Sequence, residues 1–506
     1  MATSSSILGT IKGLIVCFYS SIIFTSTQTH HVDNTQPAPR APTNLTLTGH
    51  IPPDQLFSFV YVPFNVSAEV TSISVVQNYS FKGAGNALDL GVFDPHGIAP
   101  INSETGFSGS RGWSGGSRNN FTISGSDATP GYNAGPLLPG TWNVVLGPYA
   151  TNRSGIDWTL DISLSYSPLD STPWSPSLAP TYKEPLSTPW KWLRGDFHMH
   201  TIYSDGWYLP SEHMAHAISQ NLDFIFFSEH NTDSGNNNIG RHIPRTANAS
   251  SDLLIGRAIE VTTRHGHWQA IGLERAQQVE WRYTNATGDT GFVDAATQVR
   301  RSGGLVSINH PFEKCSRCDW TLDWEHNDAI EVWNGRFDPR DEAAVQFWQG
   351  ELVKGKKLTA LGGSDAHRPP DVNGLPTTVV RVTGAKSQAS IVEGVRNGRV
   401  YLVQGPGMDM DFGLVYGDGR KRAEIGDVVP KTDLGADTYA SLSATGFESL
   451  AAHACFVSEK GYFQNVSLQN AQRVQHSLAP DMDFIRVEIR NASDTLLGLT
   501  NPVYFE

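Results

Sequence analysis

The chain has 506 residues, of which 39% are hydrophobic and 17% are charged, so it is long enough to form two or three domains. This composition excludes a disordered or fibrous protein. Lys and Arg number 37 against 50 Asp and Glu, which gives a formal net charge of −13. Because this charge repels a polyanion and no block of basic residues offsets it, no nucleic-acid partner is expected.

The first thirty residues have the composition of a secretory signal peptide. They contain no acidic side chain, a single lysine (Lys12), and an apolar run from Leu14 to Phe24 that small polar residues follow. A membrane anchor is the alternative, but the run is shorter than the roughly 20 apolar residues that cross a bilayer. We therefore predict a signal peptide over residues 1–30 and a secreted, extracellular chain that has no membrane segment after cleavage.

Sites for N-glycans accompany this predicted signal peptide. Nine asparagines begin an Asn-x-Ser/Thr sequon without an intervening proline: Asn44, Asn65, Asn78, Asn120, Asn152, Asn248, Asn285, Asn465 and Asn491. In a secreted chain, several of these asparagines are expected to carry glycans.

Four cysteines are too few for a disulfide framework. Cys17 lies in the predicted signal peptide, which leaves Cys315, Cys318 and Cys455. In a cytosolic protein the Cys315-x-x-Cys318 spacing would indicate redox chemistry or zinc binding, whereas in a secreted chain it favours a local disulfide. We expect such a disulfide to stiffen a loop, with Cys455 free and buried.

The region 31–166 is predicted to be an N-terminal β-sandwich domain. Short segments of alternating polarity recur there, separated by Gly, Pro, Asn and Asp. The predicted strands are Phe57–Val62, Val70–Val76, Ala87–Phe93, Trp142–Leu146 and Trp158–Tyr166. Prolines then recur between Pro168 and Pro189, so residues 167–190 are predicted to be a Pro-rich linker.

From residue 191 to residue 405, short apolar runs alternate with helical patterns. The predicted strands are Gly195–His200, Phe224–Phe227, Leu253–Val261, Leu305–Asn309, Ala329–Trp333 and Leu358–Gly362. The predicted helices are Pro210–Gln220, Val293–Arg301, Asp341–Val353 and Gln388–Asn397. This alternation predicts parallel β/α units that close into a barrel related to the TIM type.

Residues 406–506 return to β character and are predicted to form a small C-terminal β-module. The strand patterns there are Tyr439–Ser443, Ala451–Val457, Phe484–Ile489 and Pro502–Glu506.

Histidine is concentrated in the predicted barrel, where eleven of the seventeen lie between His198 and His367. Because the carboxyl ends of barrel strands meet at one mouth, histidines and carboxylates at those ends should form one ligand set. Those residues are His198, His200, His230, Glu260, His267, His310, Asp365 and His367. Imidazoles mixed with carboxylates suit Zn²⁺, Mn²⁺ or Fe²⁺ better than Ca²⁺ or Mg²⁺.

Four other histidines of this region are interpreted as ordinary structural residues. His213 and His216 fall within a predicted helix, and His265 and His326 lie in loops.

These motifs resemble those of the polymerase and histidinol phosphatase (PHP) superfamily. The resemblance spans about Trp190 to Gly405, and the motifs follow one another in the order of the family. They are Asp196-Phe-His-Met-His-Thr, Ser204-Asp205-Gly206, Ser228-Glu-His230-Asn, Ile259-Glu260-Val, Gly266-His267, Ile308-Asn-His310-Pro and Gly363-Ser-Asp365-Ala-His367. The resemblance implies a distorted (β/α)7 barrel, two or three divalent metal ions and hydrolytic chemistry. Glu331-Val-Trp-Asn334-Gly is similar to the branch of the family that carries flanking β-modules.

The resemblance also implies how the ligands are shared among the metal ions. The first ion would be held by His198, His200, Glu260 and Asp365, and Glu260 would bridge to a second ion held by His267 and His310. Asp205, His230 and His367 would hold a third. Asp205 stands where some relatives have histidine, and Glu229 replaces the aspartate usual before His230. Both departures concern the third site, so the resemblance leaves its occupancy by a metal ion open.

The predicted chemistry is hydrolysis by a hydroxide shared between metal ions, which needs no nucleophile from the protein. Glu260 and Asp365 are predicted to act in catalysis, and Arg368, with Arg264 as a further candidate, is predicted to bind an anionic small-molecule substrate. Surface salt bridges are the alternative role of the two arginines. Trp320, Trp324 and Trp333 are candidates for the wall of a substrate pocket, although core packing is the more frequent role of such residues.

A secreted metal-dependent phosphoesterase that acts on a small phosphate ester is the function this sequence favours. Hydrolysis of an amide, carbamate or carboxylic ester is the alternative, because a metal-activated hydroxide also attacks carbonyl carbon. A non-catalytic protein that binds a glycan or a surface is disfavoured by the complete set of costly ligand residues.

Overall fold

The computed structural model describes residues 40–101, 108–167, 172–180, 183–243, 252–284, 287–313, 318–468, 474–478 and 481–506. The predicted signal peptide, Cys315 and the sequons at Asn248 and Asn285 lie outside these ranges. Residues 41–506 form one compact unit, so the domain boundaries predicted inside this unit stay predictions. No helix of the described ranges is long and apolar enough to cross a membrane. The seven described sequon asparagines are exposed or half-buried, which suits glycosylation.

Two antiparallel sheets make up the N-terminal region. Their strands are β1 (Thr43–Ile51), β2 (Val60–Val66), β3 (Ser72–Tyr79), β4 (Ala87–Phe93), β5 (Ser110–Gly115), β6 (Asn120–Ser124), β7 (Gly140–Ala150) and β8 (Ile156–Ser165). One sheet has the order β1-β8-β3-β6 and the other the order β2-β7-β4-β5. Alternate residues of both sheets, such as Ile73, Leu90 and Leu160, are buried in one shared hydrophobic core. We refer to these eight strands as the N-terminal sheets.

The central region combines strands with five helices. Its elements are β9 (Lys183–Asp196), α1 (Pro210–Ser219), β10 (Phe224–Phe227), α2 (Ser234–Asn238), β11 (Leu254–Thr263), β12 (Gly266–Ile271), α3 (Gly288–Arg301), β13 (Leu305–Asn309), β14 (Ala329–Asn334), α4 (Pro339–Val353), β15 (Thr359–Gly363), β16 (Thr377–Ser387), α5 (Gln388–Arg396) and β17 (Val400–Val403). Helices α4 and α5 pack against the sheet through apolar residues such as Trp348 and Ile391.

The strands of the central region form an open path with the order β15-β14-β13-β12-β11-β10-β9-β16-β17. The predicted closed barrel is therefore not confirmed, because no pairing between the described strands completes a ring. A single bridge, Met199 to Ala366, connects the segments that follow β9 and β15. The chain is a mixed α/β protein with many strands and few helices.

One reason for the departure from regular β/α alternation is a tight hairpin between β11 and β12. Only Arg264 and His265 separate the two strands, which is too short for the crossover that a parallel pair needs. Gly266 has a φ of +108°, a conformation that glycine adopts without strain. As a result β12 runs antiparallel to both of its neighbours, β11 and β13.

Part of the predicted linker is a strand instead. Residues 183–190 belong to β9 and pair antiparallel with β16, from Lys183 opposite Ser387 to Trp190 opposite Thr383. This half of β9 has β16 on one side only, and edge strands tolerate prolines such as Pro185 and Pro189.

The C-terminal region is continuous with the central sheet. Its strands are β18 (Asp409–Tyr416), β19 (Lys421–Glu424), β20 (Val428–Val429), β21 (Tyr439–Thr445), β22 (His453–Ser458), β23 (Gly461–Ser467), β24 (Val474–Ser477), β25 (Phe484–Arg490), β26 (Leu496–Thr500) and β27 (Val503–Phe505). Strand β26 pairs with β17 and carries β25, β22 and β23 into the same sheet. Strands β19-β18-β21-β24 form a separate sheet over a shared core. Cys455 of β22 is free and buried, and Cys318 is disulfide-bonded, as expected for a disulfide in that loop.

The N-terminal sheets share an aromatic core with the central region. Trp113 of β5 lies edge-on to Trp281, with ring centroids 5.7 Å apart. Arg282 connects the same two regions, because it donates to the Tyr61 hydroxyl at 2.8 Å and pairs with Glu280 at 2.6 Å. These contacts fix the N-terminal sheets against the strands that carry the candidate site.

Candidate metal centre and substrate cavity

The predicted ligands meet at one edge of the central sheet. They lie in the segments that follow β9, β10, β13 and β15, and within β11 and β12. The residues brought together are His198, His200, Asp205, His230, Glu260, His267, His310, Asp365 and His367. Their convergence follows from the strand order, since parallel strands end on the same side of a sheet.

Glu260 is the centre of this cluster. It is fully buried, and each of its two carboxylate oxygens lies near imidazole nitrogens of several histidines. The nitrogen to oxygen distances are 3.3 Å for His198, 3.3 Å for His200, 3.1 Å for His230, 3.4 Å for His267 and 3.1 Å for His310. Asp365 lies at the same centre, 3.2 Å from His198 and 3.1 Å from His200.

Several of these buried atoms have no hydrogen-bond partner. They are His198 Nε2, His200 Nε2, Glu260 Oε2, His267 Nδ1, His310 Nδ1 and Asp365 Oδ1. A buried polar atom without a partner is costly, so a group of them at one place calls for a cation. The residues present therefore fit divalent metal ions. His310 and Asp365 also have positive φ values, of 26° and 49°, which is backbone strain of the kind that functional sites hold.

Four overlapping groups of side chains could each hold a metal ion. They are His198, His200 and Glu260; His198, His310 and Asp365; Glu260, His267 and His310; and His200, Asp205, His230 and His367. The last group contains the three residues predicted for a third ion. There Asp205 Oδ1 lies 3.5 Å from His230 Nε2 and 3.4 Å from His367 Nε2.

The electrostatics of the cluster keep Glu260 ionised and His230 neutral, whereas the nearby carboxylates outweigh burial and raise the pKa of four other histidines, so metal binding there would displace protons. Those four are His198, His200, His310 and His367. Burial alone would raise the pKa of Glu260, but the neighbouring histidines His198 and His230 oppose burial and hold this pKa well below its usual range. Burial, and then the proximity of His200, lowers the pKa of His230 to about 3. A carboxylate and a neutral imidazole are the protonation states of metal ligands.

Three further residues support the ligands and had no predicted role. Glu331 accepts a hydrogen bond from Asn334 Nδ2 at 3.0 Å and from the His310 backbone N–H at 3.1 Å, and its Oε1 lies 2.9 Å from His198 Nδ1. Asn309 donates to Glu260 at 2.9 Å. A carboxylate behind a histidine ligand fixes which ring nitrogen faces the metal. Glu331 lies inside the apolar run of β14, and a carboxylate within such a buried strand was the available signal.

Other buried side chains hold the loops that carry the ligands. Glu229 accepts hydrogen bonds from the hydroxyls of Thr201 and Ser204, so it fixes the loop between His200 and Asp205. His213 lies with Nε2 2.9 Å from the His200 carbonyl oxygen. Of the four histidines interpreted as structural, none belongs to a metal-binding group of the described residues.

The two arginines occupy different environments. Arg264 lines a cavity beside the ligands, with its guanidinium 4.8 Å from the Phe57 ring. Arg368 is exposed, and its guanidinium lies 5.5 Å from the Trp207 ring. The structure thus brings Arg264 to the cavity, while the role of Arg368 stays a prediction.

The cavity has a volume of about 400 Å³ and is lined by three candidate ligands, Asp205, His230 and His267. Its aromatic lining comes from the segment before β2 (Phe57 and Phe59), from the N-terminal sheets (Trp113 and Tyr149) and from the segment after β12 (Trp281 and Tyr283). None of Trp320, Trp324 and Trp333 lines this cavity, so core packing is the interpretation of these residues that fits the structure. Trp320 and Trp333 are buried in hydrophobic cores, and Trp324 packs against Phe347.

Comparisons with known proteins return weak likenesses. No family model and no curated protein matches the chain. A two-domain protein of Bacteroides vulgatus, described as containing a predicted PHP-like metal-dependent phosphoesterase, is 18% identical with a TM-score of 0.35, over 64% of this chain and 99% of its own. A proposed metal-dependent phosphoesterase of Bifidobacterium adolescentis is 16% identical with a TM-score of 0.27, over 35% of this chain and 90% of its own.

A third similar structure is an amidohydrolase of Chromobacterium violaceum with bound sulfate and no metal. It is 15% identical with a TM-score of 0.25, over 42% of this chain and 97% of its own.

Proposed function

We propose that this chain is a secreted, metal-dependent hydrolase of the PHP superfamily, with a distorted (β/α)7 architecture, that acts on a small phosphate ester. The observation that supports it is the cluster of buried, unpartnered imidazole and carboxylate atoms around Glu260. Divalent cations bound there would lower the pKa of a water molecule and neutralise the negative charge that develops during hydrolysis.

The overlapping groups assign a role to each ligand. Glu260 belongs to two groups, so it would serve two ions, with His198 and His200 on one side and His267 and His310 on the other. Asp365 would complete the first site. His200, Asp205, His230 and His367 would hold a third ion next to the cavity.

Residues of the cavity would place the substrate against this centre. Arg264 carries a guanidinium that can donate two parallel hydrogen bonds to phosphate oxygens. His230 and His267 line the same cavity, so a phosphate group held by Arg264 would lie beside the ligands.

Hydrolysis of a carboxylic ester, carbamate or amide is the second candidate. The predominantly aromatic lining supports it, because Arg264 is the one basic Lys or Arg side chain among the lining residues. A neutral carbonyl substrate needs no anion-binding group in its ground state.

Metal content is the first test of this proposal. The purified chain, supplemented with Zn²⁺, Mn²⁺ or Fe²⁺ and then desalted, should retain at least two ions per chain by elemental analysis. Fewer than one ion per chain would refute a dinuclear site.

Activity is the second test. The metal-loaded chain should hydrolyse members of a panel of phosphate monoesters, phosphate diesters, carboxylic esters, carbamates and amides, and a chelator should abolish this activity. Glu260→Gln should be inactive. Glu325→Gln, which changes an exposed carboxylate that pairs with Lys356, should match the unmodified chain. Equal activity of both variants, or full activity in the presence of chelator, would contradict the proposal.

A further inference from the structure

Asp89 is an acidic residue within the aromatic cavity. It lies in the middle of β4, opposite Gly147 of β7, and it lines the cavity together with Gly115 and Gly116. A Cβ atom added at Gly147 would come 3.4 Å from Asp89 Oδ2, and one added at Gly116 would come 3.5 Å from Oδ1. The space beside the carboxylate therefore opens at Gly116, where, apart from its chain neighbours, Asp89 Oδ1 is the only atom within 4 Å of the added carbon among the described residues, whereas the position at Gly147 is narrow.

In the part of the chain that the structure describes, no cationic side chain balances this carboxylate. Among the described residues, no Lys, Arg or His forms an ion pair with Asp89, and no group donates a hydrogen bond to its side chain. Arg264 lines the same cavity, but it stacks on Phe57 and donates to His265 at 3.0 Å. Burial raises the pKa of Asp89 to about 7, which is the energetic cost of a carboxylate without a partner.

An aromatic ring lies next to the same carboxylate. The position of a Cβ added at Gly147 is 3.0 Å from the Trp113 ring and 3.2 Å from Asp89 Cβ, so the two side chains border one space. Trp113 is held by ring contacts with Phe59 at 6.3 Å and Trp281 at 5.7 Å. An aromatic ring and a carboxylate that border one space are the groups that bind organic ammonium ions.

We propose that this cavity binds an alkylammonium group, carried by the part of the substrate that hydrolysis releases. Asp89 balances the positive charge, and Trp113 contacts the methyl or methylene groups around the nitrogen. The substrate would then be an ester of an amino alcohol whose reactive end lies at the metal ligands His230 and His267 and whose cationic end lies at the N-terminal sheets. The ammonium site itself is independent of catalysis, whereas the placement of the ester rests on the proposed function.

Binding is measured first, by isothermal titration calorimetry of choline into the metal-loaded full chain. Choline should bind saturably, and its neutral isostere 3,3-dimethylbutanol should bind at least tenfold more weakly. Asp89→Asn, which preserves shape and removes charge, should weaken choline binding at least tenfold and leave the isostere unaffected. Asp161→Asn is the matched control, because Asp161 is an exposed strand aspartate that accepts a hydrogen bond from Thr46.

A second variant tests whether choline occupies the space beside Asp89, and it leaves the charge of Asp89 unchanged. Gly116→Ala places a methyl group beside Asp89 and should also weaken choline binding while thermal unfolding stays unchanged. Equal binding of choline and its isostere, unaffected by Asp89→Asn, would overturn the proposal and indicate a cavity for a neutral apolar group.

Kinetics separate this inference from the proposed function. Phosphate and carboxylic esters of choline should show KM values at least tenfold below those of the 3,3-dimethylbutanol esters, and Asp89→Asn should remove this difference. Hydrolysis of both esters with equal KM would refute the ammonium site and retain the hydrolase. Choline binding without hydrolysis of any substrate in the panel would retain the site and refute the hydrolase.

Discussion

Replacement of Glu331 with Gln tests whether the centre depends on a residue that touches no proposed metal ion. Glu331 is buried, with 3% of its surface exposed, and its oxygens face His198 Nδ1, the His310 backbone N–H and Asn334. Glutamine has the same shape but carries one N–H₂ group in place of an oxygen. At least one of the present donors then loses its acceptor.

The expected loss of metal affinity depends on which hydrogen-bond donor of Glu331 loses its acceptor. If His198 Nδ1–H loses its acceptor, the ring is no longer fixed with Nε2 free to bind metal. Loss of such a supporting carboxylate weakens metal binding by about 10-fold to 100-fold, or about 1.4 to 2.7 kcal/mol. The same buried donor, left unsatisfied, should lower the free energy of unfolding by about 1–3 kcal/mol.

The assay is competition for Zn²⁺ between the full chain and a chromophoric chelator, with thermal unfolding measured in parallel. Glu325→Gln serves as the control, since it removes an exposed glutamate that pairs with Lys356 at 2.8 Å. If Glu331→Gln bound Zn²⁺ with unchanged affinity, the inference that Glu331 orients His198 would be refuted.

Three further predictions concern individual carboxylates and one arginine. Glu260→Gln should cost far more kcat than Asp205→Asn in metal-supplemented protein, because Glu260 contacts five histidines and Asp205 two; equal losses would show that Glu260 does not bridge. Arg368→Ala should raise KM for a phosphate monoester about tenfold without changing metal content, and an unchanged KM would leave anion binding to Arg264. Asp89 has a pKa of about 7 when folded and about 3.9 when unfolded, so the unfolded chain releases this proton first as pH rises. The unfolding temperature relative to Asp89→Asn should therefore fall between about pH 4 and about pH 7, and a constant difference would contradict the assignment.

The sequence predicted the elements whose patterns are local and apolar. Strands Phe224–Phe227 and Leu305–Asn309 have the predicted bounds, because each is a buried apolar run with polar residues on both sides. Helix α3 begins at Gly288, five residues before the predicted Val293. Its first turn contains Gly, Asp and Thr, so no apolar periodicity marks the true start.

Connections between strands were harder to predict than the strands. The antiparallel strand β12 was not among the predicted strands, because the predicted strand ended at Val261 and the two polar residues before Gly266 do not reveal a change of direction. The pairing of β9 with β16 joins residues about 200 positions apart, and nothing in the local pattern near Pro185 indicates it.

The candidate ligands could be predicted because histidine and carboxylate at successive strand ends are costly unless they bind something. The supporting residues could not be predicted in the same way. Glu331 and His198 are 133 positions apart, and their contact depends on Gly363, where an added Cβ would lie 2.4 Å from His198 Cβ. Such close packing depends on contacts between distant parts of the chain, which a local sequence pattern does not reveal.

The N-terminal sheets are best understood as part of the active site and not as a separate recognition module. Arg118 donates to the backbone carbonyls of Ser204 and Ile202, at 2.6 and 2.5 Å, in the loop that carries Asp205. The same sheets supply Trp113 and Tyr149 to the aromatic lining of the cavity, and the segment just before β2 supplies Phe57 and Phe59. The face of the N-terminal sheets that makes these contacts is covered by the central region, so this face would help to determine which substrate reaches the metal ligands.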